Sequence, residues 1–218
     1  LCVDKTGTIT MNQMKVQDTW NPAGDDKKLN KIMGMACKAD AYDPMEKAMI
    51  VFCEEQKISK EELFGSELVK EYPFTNDTKM MGNVWAQDGK MLVTAKGSPE
   101  KILQICELTQ LELAHTENKI NAMAERGLRV IAVGEMIISN ITDVPEKLAE
   151  CKLQFCGVVG LADPPRDSVK QDVETCIKAG VRVVMITGDN GITASAIARQ
   201  IGMADSDKII TGDEIDKM

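Results

Sequence analysis

Val181-Arg182-Val183-Val184-Met185-Ile186-Thr187-Gly188-Asp189-Asn190 is the stretch that decides the fold class. Its first six residues are nearly continuous and β-branched, broken only by Arg182, as expected of a parallel strand covered on both faces. Upstream, Ser168 to Ala179 is amphipathic and is stopped by Gly180. Downstream, Ile192 to Ile201 is a helix of small residues stopped by Gly202. Helix, strand, loop and helix in that order make a parallel α/β unit. A second short apolar run, Leu1 to Val3, ends at Asp4 and runs into Lys5-Thr6-Gly7-Thr8, again a strand end followed by a loop.

Between these two pieces the pattern changes. Residues 29 to 38 and 44 to 57 have helical periodicity, with Met45, Ala48, Met49, Phe52 and Cys53 on one face. Tyr72 to Phe74, Val84 to Ala86, Met91 to Ala95, Arg129 to Glu135 and Phe155 to Leu161 read as strands, and Gln87-Asp88-Gly89-Lys90 as a hairpin turn. Ser98-Pro99-Glu100 starts a helix, and Glu112 to Glu125 forms a longer one closed by Gly127. This middle is α+β, carried between two parts of an α/β unit.

Composition narrows the function classes. The 218 residues carry 26 Lys+Arg against 34 Asp+Glu, a net charge of −8, without a basic cluster. Non-specific nucleic-acid binding needs clustered Lys/Arg to neutralise phosphates, so a nucleic-acid partner is not expected. The single His115 excludes a site built on two imidazoles. Seven cysteines without a CxxC pair read as reduced thiols rather than a disulfide framework. No apolar run approaches the ~18 to 20 residues that span a bilayer, and no signal peptide is present, so the stretch itself is not expected to enter a membrane. Both ends of the chain read as cut from a longer polypeptide.

Two motifs carry chemistry at strand ends. A carboxylate at the carboxyl end of a parallel strand, as at Asp4, can accept a phosphoryl group and divide one hard displacement into two easier ones. The Gly7 turn, the Thr6 hydroxyl and a metal ion are sources of compensation for phosphate charge. Thr187-Gly188-Asp189 has the matching place after the other strand and before a helix, an anion-binding arrangement. Thr211-Gly212-Asp213 repeats the triplet, and its context reads as a helix-capping turn. Asp163-Pro164-Pro165-Arg166 is stiffened by two prolines and suits a hinge.

Asp4-Lys5-Thr6-Gly7-Thr8-Ile9-Thr10, Lys96-Gly97-Ser98-Pro99-Glu100, Asp163-Pro164-Pro165-Arg166 and Thr187-Gly188-Asp189-Asn190 occur in the order found in P-type cation-transporting ATPases, which the chain resembles from residue 4 to residue 190. The resemblance implies an incomplete, haloacid dehalogenase-like Rossmannoid phosphorylation domain with an inserted α+β nucleotide-binding domain. The implied boundaries are 1–12 and 163–218 for the two phosphorylation segments and 13–162 for the insert. It further implies that ATP phosphorylates Asp4, with Lys5 offsetting charge and Thr6 contacting both the phosphoryl group and Mg2+, which Asp4 also holds. Thr187, Gly188 and Asp189 would complete the phosphate cradle.

In the insert, the resemblance puts Phe74 against the adenine, Glu46 near it and Lys96 with Gly97 at the pocket floor. Lys79 and Arg129 would face the phosphates, and Asp163 and Arg166 would belong to the nucleotide site at the hinge. Asp43-Pro44-Met45-Glu46 is similar to the family's Asp-Pro-Thr-Glu segment, with Met45 in place of Thr. An acidic chain that binds a polyanion needs such local basic exceptions. The family's Gly-Asp-Gly-x-Asn-Asp motif has no counterpart in the 218 residues, so nucleotide binding is expected without robust phosphorylation of Asp4 in this stretch alone.

Two other classes stay open. Haloacid dehalogenase-type phosphatases usually carry a second Asp two residues after the nucleophile; Thr6 stands there instead. A non-catalytic ATP-binding module is the other. The resemblance implies a parent at the cytoplasmic face of a membrane, with transmembrane and actuator domains as partners. The short insert and the Asp163-Pro164-Pro165-Arg166 hinge resemble the calcium-pump-like branch rather than the heavy-metal branch, whose typical His-Pro is missing because His115 is followed by Thr116. Calcium is the expected ion, with sodium, potassium and proton open.

Overall fold

The computed structural model describes residues 1–188 and 191–215. In chain order the elements are β1 (Cys2–Asp4), β2 (Lys15–Trp20), α1 (Asp26–Met35), α2 (Pro44–Glu55), α3 (Lys60–Phe64), β3 (Glu67–Tyr72), β4 (Met80–Gln87) and β5 (Lys90–Gly97). They continue with α4 (Pro99–Gln104), α5 (Gln110–Glu125), β6 (Arg129–Ile138), β7 (Gln154–Ala162), α6 (Val169–Lys178), β8 (Val184–Ile186), α7 (Gly191–Gln200) and α8 (Gly212–Ile215). The strands form two sheets. One is six-stranded and antiparallel in the order β2-β7-β6-β5-β4-β3; the other is the parallel pair β1-β8.

The period of two along a strand explains the layering of the larger unit. Val133, Cys156, Val159, Leu161 and Trp85 pack against Leu29, Met33, Met49, Cys53 and Leu63 from α1, α2 and α3. Their alternating neighbours Ala132, Phe155, Val158 and Val84 pack on the opposite face with Ile102 of α4 and Met123 of α5. Two polar side chains fix α1 to the sheet: Asn83 donates to the carbonyls of Met35 and Cys37 at 2.9 Å, and Trp85 Nε1 donates to Met35 O at 3.1 Å.

Helix starts follow local chemistry. Asp43 caps α2 through Met45 N and Glu46 N, with Pro44 in its first turn. Thr109 and Glu112 form a reciprocal capping box at α5. The Thr109 hydroxyl, then its backbone N–H, holds the Glu112 carboxyl below its ordinary value of 4.5. A carboxyl depressed on folding stabilises the native state above 4.5, and that contribution is lost as pH falls through the lower folded value. Thr109→Ala, which removes the N-cap hydroxyl, is therefore expected to lower stability at neutral pH. The gap between the two proteins should narrow in urea unfolding below pH 4.5; a gap independent of pH would contradict the assignment.

The smaller sheet corrects one expectation. Of Val181 to Ile186 only Val184–Ile186 is a strand, and it is not covered on both faces. Val3 and Met185 pack against Val169, Val173, Ile197 and Ile201 of α6, α7 and the residue after α7, whereas Val184 and Ile186 are exposed. Three ladder pairs with β1 are all that orders this sheet among the described residues, so the β-branched run exceeds the pairing available. Phe74 likewise lies beyond β3, which ends at Tyr72. Among the described residues no helix is long and apolar enough to cross a membrane. Thr211 has the expected capping role, donating from N and Oγ1 to Glu214 Oε2 at 2.8 and 2.9 Å at the start of α8.

Candidate functional site

The parallel pairing of β1 with β8 sets Cys2 beside Val184, Val3 beside Met185 and Asp4 beside Ile186. The two carboxyl ends thus finish level, and Lys5-Thr6 leaves one strand where Thr187-Gly188 leaves the other. Residues from opposite ends of the sequence are brought to one end of one sheet. Asp4 and Thr6 are exposed there, while Lys5 between them is buried. Gly7 turns the chain with φ 78°, a left-handed conformation that a side chain would strain. Thr10 N closes this wide turn on Lys5 O at 2.9 Å. Asp189 lies outside the described residues.

Mg2+ takes oxygen donors and typically keeps several waters, using one or two protein carboxylates plus substrate phosphates. An exposed Asp4 carboxylate beside an exposed Thr6 at a strand end is a donor set that fits such a partly held ion. Among the described residues no group of three His, Cys, Asp or Glu side chains stands ready as a complete protein cage.

Asp163-Pro164-Pro165-Arg166 follows directly on β7 and lies against residues 7 to 13. The Asp163 carboxylate accepts from Thr10 Oγ1 at 2.5 Å and from Gln13 N at 3.0 Å. Met11 N donates to Pro164 O, and Arg166 N donates to Ile9 O. The Arg166 guanidinium donates to Gly7 O at 2.9 Å and Thr8 O at 3.2 Å. Both side chains are thereby engaged with the loop that follows Asp4. Thr10, wholly buried, is a partner that the sequence reading did not single out, although it closes the Asp4–Thr10 string.

A second cluster forms on the α2 face of the larger sheet. Lys96 near the end of β5 and Glu46 in the first turn of α2 are 5% and 7% exposed, with Nζ 2.7 Å from Oε1. Met81, opposite Lys96 in the β4–β5 register, brings its Sδ to 2.7 Å from the same Nζ. An ion pair removed from water keeps its charges only when both are well partnered, and here each serves the other. Behind it, burial pushes the Cys37 thiol up to about 12 against the opposing Lys96 charge, so Cys37 is no nucleophile at neutral pH. Cys37 was not legible as part of this cluster from any motif, whereas Met81 closes the Tyr72–Met81 stretch whose resemblance to the family's adenine-binding segment already pointed here.

Gly97 is buried beside this pair because nothing larger fits: a Cβ there would lie 2.5 Å from Lys79 O and 2.8 Å from Met80 Cα. Ser98 N donates to the same Lys79 carbonyl at 2.9 Å. The Lys79 and Phe74 side chains are exposed. Arg129 begins β6, paired with Leu161 of β7, and is exposed as well.

A cleft of about 910 Å³ opens between the two sheets. Lys5, Thr6, Arg129 and Asp163 line it together with Thr193 and Ala196 of α7. The cleft therefore gathers four of the expected site residues. Glu46 and Lys96 pair in the separate buried cluster with Gly97 beside them, the Lys79 backbone lies against Gly97, and Phe74 is exposed in the segment before β4.

Comparison with known proteins adds an independent line. Residues 30–168 match the family profile described as P-type ATPase, cytoplasmic domain N. The chain is 31% identical over 238 residues to a probable cation-transporting P-type ATPase of Mycoplasma genitalium, aligning all of this chain with 26% of that protein. It is 32% identical over 249 residues to calcium-transporting ATPase 1 of Bacillus cereus, covering 28% of it. A sodium/potassium exporting P-type ATPase of Schizosaccharomyces pombe is 38% identical over 172 residues, or 74% of this chain and 17% of that protein. The chain thus spans about a quarter of the length of the curated relatives it matches from end to end.

Proposed function

The chain belongs to the P-type ATPases, and from that premise we propose that it is the cytoplasmic catalytic portion of an ATP-driven cation pump. Residues 13–162 bind the nucleotide, and residues 1–12 and 163–218 are two segments of a haloacid dehalogenase-like phosphorylation domain. A carboxylate oxygen of Asp4 attacks the γ-phosphorus of ATP, the bond from that phosphorus to the β–γ bridging oxygen breaks, and ADP leaves. The product is an aspartyl phosphate. The observation that carries this reading is the level register of β1 and β8, which sets the Asp4 loop beside Thr187 and Gly188.

The residues divide the work by charge and position. Lys5 offsets phosphate charge, and the Thr6 hydroxyl and the amides around Gly188 orient the phosphoryl oxygens. Asp4 and Thr6 would hold Mg2+, which supplies neutralisation of phosphate charge when bound. Arg129, on the cleft wall, meets the phosphates from the insert. Asp163 and Arg166 belong to the same site by holding the loop from Gly7 to Gln13. Lys96, Glu46 and Gly97 form the floor for the base, Phe74 stacks on it and Lys79 faces the phosphates. Thr6 in place of a second carboxylate leaves no side-chain base at that position to direct water onto the acyl phosphate, which favours a pump over a phosphatase.

The aspartyl phosphate is coupled to cation movement through transmembrane and actuator domains of the parent. Calcium is the proposed ion, the Bacillus cereus relative being named a calcium-transporting ATPase. The nucleotide part is tested by titrating the chain with a fluorescent ATP analogue. Base stacking on an aromatic ring contributes about 1–3 kcal/mol, so Phe74→Ala should weaken binding by about fivefold or more. Equal affinity in the variant and the parent chain would remove Phe74 from the site.

A further inference from the structure

The chain has eight aromatic residues, two each of Trp and Tyr and four Phe. Six of them are buried or half-buried: Trp20, Phe52, Phe64, Tyr72, Trp85 and Phe155. The other two, Tyr42 at 83% and Phe74 at 55%, are exposed. An aromatic ring left in water is an unused apolar face with a fixed shape, and two such rings in a chain this poor in aromatics call for an explanation by position.

Both rings spring from segments anchored to the Lys96–Glu46 pair. Tyr42 immediately precedes Asp43, whose carboxylate accepts from Met45 N at 2.8 Å and Glu46 N at 3.2 Å. Tyr42 therefore stands at the entry to α2, just before the cap that holds the turn carrying Glu46. Phe74 follows Tyr72, which pairs with Gly82 in β4, next to the Met81 whose sulfur meets Lys96. The turn after Phe74 is closed by Lys79 N donating to Thr75 O at 2.8 Å, and Lys79 O in turn accepts from Ser98 N. One ring thus stands on the segment that enters α2, the helix of Glu46, and the other on the segment that leads into β4, the strand of Met81.

We propose that Tyr42 supplies a second aromatic face for the nucleobase, across the Lys96–Glu46 floor from Phe74. The inference rests on the nucleotide-binding reading and adds to it a residue that none of the motifs contains. A tyrosine is well suited to such a position, because its ring offers stacking area at the loss of only two side-chain torsions while its hydroxyl stays in water. Stacking acts on the base and not on the phosphates. Tyr42 should therefore set affinity for nucleotides, purines above pyrimidines, without affecting a bare polyphosphate.

The test titrates the 218-residue chain with MgATP, MgUTP and inorganic tripolyphosphate, in parent, Tyr42→Ala, Tyr42→Phe and Phe74→Ala forms. Tyr42→Ala is expected to weaken MgATP by about fivefold or more, MgUTP by less, and tripolyphosphate not at all. Tyr42→Phe should stay within about twofold of the parent, because the stacking face is kept. If Phe74→Ala weakens MgATP while Tyr42→Ala does not, this inference fails and the nucleotide site stands. If neither does, or the parent chain binds no nucleotide, both fall. Equal losses for MgATP and tripolyphosphate in Tyr42→Ala would also overturn it.

Discussion

Lys96→Met is expected to weaken nucleotide binding by at least about tenfold and to destabilise the fold at the same time. The ammonium is 5% exposed and 2.7 Å from a carboxylate that is itself 7% exposed. Removing one partner of a buried pair leaves the other charge without compensation, a loss of about 3–5 kcal/mol in comparable cases. Methionine matches the length and apolar stem of lysine, so little of the effect should come from lost volume. Urea unfolding and nucleotide titration separate the two consequences. The double variant Lys96→Met with Glu46→Gln removes both charges and should recover most of the stability. It should not recover affinity, because the floor of the base site is still altered. A double variant that binds nucleotide like the parent would take Lys96 and Glu46 out of the site.

Asp4→Asn is expected to eliminate phosphoenzyme altogether in a polypeptide of the relatives' full length. The amide has the same shape but no carboxylate oxygen to attack phosphorus, so loss of the acid-stable, hydroxylamine-labile label should be complete rather than partial. The stability of the chain should change by no more than about 0.5 kcal/mol, since Asp4 is exposed at its strand end. Nucleotide affinity should survive, because the base cluster is built on α2, β4 and β5 and not on β1. Label retained in Asp4→Asn would move the acceptor to another residue.

Much of this was legible because local and tertiary demands agree. Arg129–Ile138 and Gln154–Ala162 alternate between two cores, and their period of two is visible in the sequence. Thr109 with Glu112, Asp43 with Pro44, and the Gly180 and Gly202 stops mark helix ends by chemistry that acts over a few residues. The run Val181–Val183 misled for the opposite reason. Its β-branched residues favour a strand, but a strand needs a ladder partner, and β1 offers only three positions.

At the candidate site, motif reading singled out Lys96, Asp163 and Arg166 but not what each one touches. Met81 reaches Lys96 because it faces it across a β-ladder, and Thr10 meets Asp163 across 153 positions of sequence. Such pairings are products of topology, and no local period encodes them. Tyr42 escaped notice because exposure decides its meaning, and exposure is a property of the folded chain.

The most direct test of the nucleotide site is an amide chemical-shift titration of the chain with MgATP. Saturable shifts are expected in three places: around Tyr42 to Glu46, from Phe74 to Met81, and at Lys96 to Ser98. Smaller ones should follow at Arg129 and in the loop after Asp4. Absence of saturation, or shifts confined to α6, α7 and α8 with the α2 face of the larger sheet unchanged, would contradict nucleotide binding at the Lys96–Glu46 floor.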